Sequence, residues 1–252
     1  MFSVLNACRF SSLVLEFSEE VQPAVPAATV ILLRHTTRGF EVLLLRRSDA
    51  LKHMPGMWVF PGGKVEPDDD GIGEMGRACT AACRELQEEA GISIAPSAMI
   101  PFSHWLTPTV VTRRFATWFF LVQVKEAVTV QVDGREIVDF QWWDPADAIA
   151  AHSRGDLPMS PPTLVSLHDV ERLAQFPLPE ELVQRREPPL FFPRVVREAD
   201  QMVFLYAGDA AYDSGDLDRE GNLHRTIGAA GIFSYVPMAD TPQSVSEVPY
   251  PI

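Results

Sequence analysis

The run Arg84-Glu85-Leu86-Gln87-Glu88-Glu89-Ala90-Gly91-Ile92 places three carboxylates within five positions. On a helix, spacings of i, i+3 and i, i+4 bring Glu85, Glu88 and Glu89 to one face. Like charges this close repel, by about 0.2–0.5 kcal/mol per pair. They also stand near the end of the segment, where the helix macrodipole disfavours acids. Two readings follow. One is a solvated acidic face, eased by an Arg84–Glu88 pair. The other is a seat for a hard divalent cation such as Mg²⁺, which takes carboxylate oxygens and binds phosphates too. Taken alone, these residues fit the solvated face better.

The elements around them change that balance. Met57 to Phe60 is a short apolar strand, and Phe60-Pro61-Gly62-Gly63 ends it. Two adjacent glycines let the backbone turn tightly and approach another group closely. An acidic loop, Glu66 to Gly73, leads to a helix over about Glu74 to Ala90, with Gly91 placed as its left-handed cap. Met75, Cys79, Ala82, Cys83, Leu86 and Ala90 form its apolar stripe. Further strands are expected at Ala27 to Leu33 and Glu41 to Arg46, joined as a hairpin through Thr36-Thr37-Arg38-Gly39. Others fall at Ile100 to Trp105, Phe115 to Val124 and Ile137 to Trp143. Asp144-Pro145 opens a short helix, Ala146 to His152.

Strand, Gly-Gly turn, acidic loop and Arg-Glu-Leu-x-Glu-Glu-x-Gly-Ile helix form one package. It resembles the Nudix box, G-x5-E-x7-R-E-U-x-E-E-x-G-U with U aliphatic. Every defined position from Arg84 to Ile92 matches, and Gly63 is the leading glycine. There are two departures. Asp69 stands at the first acidic position, and fourteen residues separate it from Arg84 where the pattern has seven, so an insertion is expected in the loop. Asp69, Asp70 and Glu74 are the candidates for the first carboxylate, the alternative being that none of them supplies it. The resemblance implies that Glu85, Glu88, Glu89 and the Gly62 carbonyl ligate Mg²⁺ or Mn²⁺. It also implies that Arg84 holds the glutamates by ion pairing. The general base is one of these glutamates or a downstream acid, for which Glu136, before the Ile137 to Trp143 strand, is the choice. The fold implied is α+β: a Nudix-type α/β/α sandwich with a mixed sheet, plus a C-terminal extension of helices and short strands.

Upstream, Leu43-Leu44-Leu45-Arg46-Arg47-Ser48, Lys52, Gly56 and Phe60-Pro61-Gly62-Gly63 keep a spacing similar to the coenzyme A diphosphatase signature of that family, with Leu45 and Lys52 as substitutions. Trp105-Leu106-Thr107-Pro108 and Arg113-Arg114-Phe115 look like a segment of its acyl-CoA diphosphatases. By this likeness Arg47, Lys52, Phe60, Gly63, Arg113 and Arg114 bind a CoA-like nucleoside diphosphate derivative. The alternatives are another nucleoside diphosphate such as ADP-ribose or NADH, and a Nudix-fold binding module without turnover.

Composition bounds the rest. The chain has 252 residues and a net charge of −13, which argues against a nucleic-acid polymer as partner. Three cysteines are too few for a disulfide framework and favour a reducing, cytoplasmic setting. Cys79 and Cys83, one turn apart, read as packing residues or as half a metal site. No run is long and apolar enough for a membrane helix. The expected division is a weakly structured lead-in over 1–25, a catalytic domain over 26–155, and an extension over 156–252 that is helical and then irregular. Helices are expected there at Thr163 to Ala174 and Glu180 to Arg185, with a strand or two in Val195 to Gly208. The extension either covers the cleft or forms a homodimer interface.

Overall fold

The computed structural model describes residues 7–10, 13–37, 39–124, 128–173, 183–184 and 186–238. Two short strands, β1 (Ala7–Phe10) and β2 (Leu13–Glu16), pair antiparallel in the lead-in. Ser18 N–H to the Val110 carbonyl, 2.9 Å, ties the following segment to the main body.

The main sheet begins with β3 (Val25–Thr36) and β4 (Gly39–Arg47), a hairpin closed at Thr36 and Gly39. β5 (Trp58–Val59) and β6 (Gly62–Lys64) flank the Gly-Gly turn. Then come α1 (Gly73–Ala90), β7 (Ile100–Leu106), β8 (Phe115–Val124) and β9 (Ile137–Trp143). α2 (Pro145–Ser153), α3 (Pro161–Leu173) and β10 (Leu190–Phe191) follow. The order is β10-β7-β8-β3-β4-β5, with β6 on β3 and β9 on β4. β3 runs parallel to β8, and β10 parallel to β7, so the sheet is mixed.

β3 and β4 read as nearly continuous apolar runs because both faces of the sheet are covered. Ala28, Val30, Leu32, Leu43 and Leu45 pack under α1 with Ala78, Ala81, Ala82 and Leu86. Ile31, Leu33, Val42 and Leu44 face α2 and α3 through Ala148, Leu164, Val165 and Leu167. Each of these fully buried aliphatic side chains contributes roughly 1.5–3 kcal/mol. The result is the expected α/β/α sandwich. α2 begins as its sequence suggests, with Asp144 Oδ1 accepting from Ala146 N–H at 2.9 Å and Pro145 in the first turn.

The extension departs from a helical and then irregular course. Beyond α3, a second, four-stranded antiparallel sheet forms in chain order. Its strands are β11 (Arg194–Glu198), β12 (Gln201–Leu205), β13 (Arg225–Ala229) and β14 (Ile232–Val236). Met202, Phe204, Tyr206 and Phe233 join the same apolar cluster as Ile31 and Leu44. The β13–β14 turn uses Ala230 at φ 50° and Gly231 at φ 85°, the positive pair of a two-residue hairpin. The helix expected at 180–185 falls mostly outside the described residues, and the tail from 239 onward lies wholly outside them.

Asp209 anchors this second sheet. It accepts two bonds from Arg225, both 2.7 Å, and further bonds from the His224 and Ala211 N–H groups. Burial alone would raise the Asp209 carboxyl; the Arg225 guanidinium and the two N–H groups outweigh it and hold the carboxyl below its ordinary range. Its stabilisation is therefore full above the ordinary carboxylate pKa and is lost as pH falls through the lowered folded value. Asp209→Ala leaves Arg225 buried without its partner and should cost about 3–5 kcal/mol in urea unfolding at neutral pH. A loss under about 1 kcal/mol, the size of an exposed pair, would remove this role.

Candidate active site on the carboxylate helix

The helix starts at Gly73, close to the expected Glu74, and has run eleven residues when it reaches Arg84, so most of the stretch after Asp69 is helical. Seven extra residues are close to two turns, about 10 Å, so the faces keep their phase. The first turn projects past the sheet. Ile72 is 99% and Met75 44% exposed, so Met75 leaves the expected apolar stripe, while Ala78 and Ala81 join it. Residues 66–72 run back along the helix. Arg77 donates to the Glu66 and Asp69 carbonyls at 3.0 and 3.1 Å, and Thr80 Oγ1 to the Asp70 carbonyl at 2.6 Å. The far end closes on Gly91, φ 70°, with its N–H on the Gln87 carbonyl and Ile92 N–H on Leu86.

This return path brings Asp69 to Arg84. Arg84 Nε and Nη2 donate to the two Asp69 oxygens at 3.1 and 3.0 Å. Its other donors reach Glu85 at 2.9 Å, Glu88 at 3.2 Å and the Lys64 carbonyl at 2.9 Å. All five guanidinium N–H groups are thus used. The Arg84 bonds hold Asp69 well below the usual carboxylate range, against its burial. Of the three candidates for the first acid, Asp69 is the one that pairs with the arginine. Positioning Arg84 is its visible role, one that sequence spacing left open.

Glu85, Glu88 and Glu89 are graded from wall to solvent. Glu89 is 7% exposed, Glu85 half-buried and Glu88 open. Glu89 Oε2 accepts from Gly62 N–H at 2.8 Å. Burial pushes its carboxyl up to about 8; the Gly62 N–H and Arg47 oppose this, while Glu85 and Glu136 add to it. Burial likewise raises Glu85, against Arg84. The glycines admit these contacts. A Cβ on Gly63 would lie against the Glu85 carboxylate, and one on Gly62 against Thr29 Cα. Glu136, on the loop before β9, is brought within range of the Glu89 charge, and its carbonyl accepts from Ser48 N–H at 2.8 Å.

Among the described residues no three acidic, imidazole or thiol side chains converge as they stand to hold a metal ion. Arg84 draws Glu85 and Glu88 to itself, and Glu89 turns to Gly62. The donor set nonetheless fits a hard cation. It is all carboxylate oxygen, and it includes a buried acid whose ionisation neighbouring acids oppose.

Arg47, at the end of β4, acts on Glu89, and with Arg113 it acts on His53. Arg113 stands over the Phe115 ring at 5.4 Å. Two of the expected ligands make their contacts elsewhere. Phe60 is 3% exposed within the core and presents no face to a substrate. Arg114 spends its donors on the Thr107 and Gln22 carbonyls, at 3.2 and 2.6 Å, so it fastens the chain instead of clamping phosphate. Lys52 is exposed on the loop after β4. Cys79 and Cys83 are free thiols, raised by burial and packed against the core under α1, as the simpler reading had them. The signal for His53 was available as the residue beside Lys52, but its company becomes visible only in three dimensions.

A model of the NUDIX domain matches residues 23–162, more than half of the chain. The human acyl-coenzyme A diphosphatase NUDT19 is 30% identical over 200 residues, 75% of this chain and 52% of that protein. The zebrafish (Danio rerio) m7GpppN-mRNA hydrolase NUDT17 is 34% identical over 79 residues, 31% of this chain and 23% of its own. The chain spans between 52% and 65% of the length of its leading curated relatives. Among solved structures, a NUDIX hydrolase from Alicyclobacillus acidocaldarius superposes with a TM-score of 0.57 at 20% identity, over 68% of this chain and 99% of that one, a likeness of fold. The matched span encloses the Gly-Gly turn, α1 and β9, and the chain belongs to the Nudix family.

Proposed function

We propose that the chain hydrolyses the diphosphate of CoA or acyl-CoA, giving 3′,5′-ADP and (acyl-)4′-phosphopantetheine, with Mg²⁺ or Mn²⁺. The observation that carries this reading is the face of Glu85, Glu88 and Glu89 beside the Gly-Gly turn, with Glu89 on the Gly62 N–H and Arg47 near enough to act on its charge. The relative named as an acyl-CoA diphosphatase, aligned over 75% of the chain, supports the choice of substrate.

A divalent cation held by the three glutamates and the Gly62 carbonyl would neutralise the anhydride oxygens and acidify a water. The protein supplies the rest. Arg84, fixed by Asp69, keeps Glu85 and Glu88 aimed to one side. The Gly62 N–H orients Glu89. Glu136 takes the proton from the attacking water as it adds to phosphorus, and the anhydride P–O bond breaks. Arg47 and Arg113 hold anionic oxygens of the substrate. The low cysteine count supports a reducing, cytoplasmic setting.

Two measurements test this. The purified protein with Mg²⁺ or Mn²⁺ should convert CoA to products with the masses of 3′,5′-ADP and 4′-phosphopantetheine, and chelation should stop it. Intact CoA beside cleaved ADP-ribose or NADH would transfer the assignment to another nucleoside diphosphate. Tight nucleotide binding without any turnover would make the chain a binding module. In a separate variant, Glu136→Gln should lower kcat by about 10²–10⁴, with KM changed far less. A kcat within about threefold of wild type would put the base among the helix glutamates instead.

A further inference from the structure

Glu136, the base of the proposed reaction, is held by its backbone alone. Its side chain is exposed, and no hydrogen bond or ion pair fixes its carboxylate among the described residues. A glutamate turns about several side-chain bonds, so its carboxylate is only as well placed as its Cα. The placement of the base therefore rests on how residues 128–137, the segment leading into β9, are fastened.

Both ends of the segment are tied to elements of the site. At the start, Gln131 N–H donates to the Ala90 carbonyl at 2.8 Å, while Val130 and Val132 pack on the core under α1. Ala90 ends α1 directly after Glu89, so this bond uses one of the helix's unpaired last carbonyls and joins the segment to the carboxylate helix. The approach is close: a Cβ on Gly91 would lie 3.2 Å from Gln131 Cβ. At the other end the Glu136 carbonyl accepts from Ser48 N–H at 2.8 Å, and the buried Ile137 starts β9. Between these ties the chain turns through Gly134, φ 71°, whose N–H reaches the Ile137 carbonyl at 2.9 Å. Asp133 closes this turn from within. Its Oδ1 accepts from Arg135 N–H at 2.6 Å and from Ile137 N–H at 3.1 Å. An aspartate that bonds its own turn is common. Here its two bonds fall on the residues immediately before and after Glu136, in a segment moored to α1 on one side and to the end of β4 on the other.

We propose that Asp133 is the positioning residue for the base: its Oδ1 clamps the main chain on both sides of Glu136 and so fixes where the Glu136 carboxylate stands relative to Glu89. Asp133 contacts no reacting atom and acts through Glu136. This deepens the hydrolase reading and rests on it, since it needs Glu136 to take the proton of the attacking water. The part of Asp133 that matters is an acceptor oxygen, which an amide can supply as well as a carboxylate.

The test is steady-state cleavage of CoA with Mg²⁺, read by product mass, for wild type, Asp133→Ala, Asp133→Ser, Asp133→Asn, Glu136→Gln and the double variant Asp133→Ala with Glu136→Gln. Asp133→Ala should lower kcat about tenfold with KM changed by less than about twofold, because a base displaced by a fraction of its reach loses rate without losing ground-state binding. Asp133→Asn keeps the acceptor and should hold kcat within about threefold of wild type; it is assayed fresh, because Asn-Gly pairs deamidate. Asp133→Ser, a weaker acceptor, should fall between the two, and it carries the comparison if the alanine variant does not fold by circular dichroism. With Glu136→Gln already present, Asp133→Ala should cost less than about twofold more, since the group it positions is gone. Three results would overturn the proposal: alanine and serine variants at wild-type kcat, an asparagine variant as impaired as alanine, or the full tenfold loss repeated in the double variant. If Glu136→Gln loses activity while Asp133→Ala does not, the role of Asp133 falls and the hydrolase reading stands. If wild type leaves CoA intact, or Glu136→Gln matches wild type, the role of Asp133 falls together with that reading or with its choice of base.

Discussion

The fork between Asp69 and Arg84 is the constraint on which the carboxylate face depends. Three acids on the last turns of a helix have every reason to splay apart, since they repel one another and oppose the dipole. Arg84 counters this from the same helix, with bonds to Glu85 and Glu88. A lone arginine on a helix surface has many rotamers, and Asp69 removes that freedom by taking two of its donors from a buried position. Asp69 is in turn held by the Glu66 N–H at 2.7 Å, and its own carbonyl accepts from Arg77. The order runs from the loop to Asp69, to Arg84 and then to the glutamates.

The rest of the fold keeps this chain of contacts in register. The small residues of α1, Ala78, Ala81 and Ala82, let the helix lie close on β3, which carries the Gly-Gly turn through its pairing with β6. Glu89 can then reach the Gly62 N–H across 27 positions of sequence. The same β4 that packs its interior residues under the helix delivers Arg47 at its end, near enough to act on the Glu89 charge. Charge separation at the site, acids on the helix and bases on the strand ends, therefore follows from sheet topology. It also sets a base beside the acids in a chain of net charge −13.

Much of this was legible in the sequence. The Arg84 to Ile92 run fixes helix, cap and carboxylate spacing through local rules, and the strands Phe115–Val124 and Ile137–Trp143 are bounded as their apolar patterns indicate. What was not legible depends on long-range contact. Fourteen residues between Asp69 and Arg84 marked an insertion, and nothing local says that the loop before the helix doubles back along it to bring Asp69 to Arg84. Arg113 and Arg114 are neighbours of one type, yet one stands over Phe115 and the other is spent on carbonyls 7 and 92 positions away. Phe60 lies beside the glycines in sequence but points into the core. The β13–β14 hairpin was carried by a single Ala-Gly pair, a weak sign beside the prolines of that region.

The account stands on the claim that the α1 glutamates hold a divalent cation, with the buried Glu89 among its ligands. Titration of Mn²⁺ into the protein, followed by the loss of free Mn²⁺ electron spin resonance, reads this directly without any substrate. Wild type should remove Mn²⁺ from solution at a stoichiometric site, and Glu89→Gln, with the fold retained by circular dichroism, should weaken that uptake by about tenfold or more. Equal Mn²⁺ affinity in the two proteins would contradict the account.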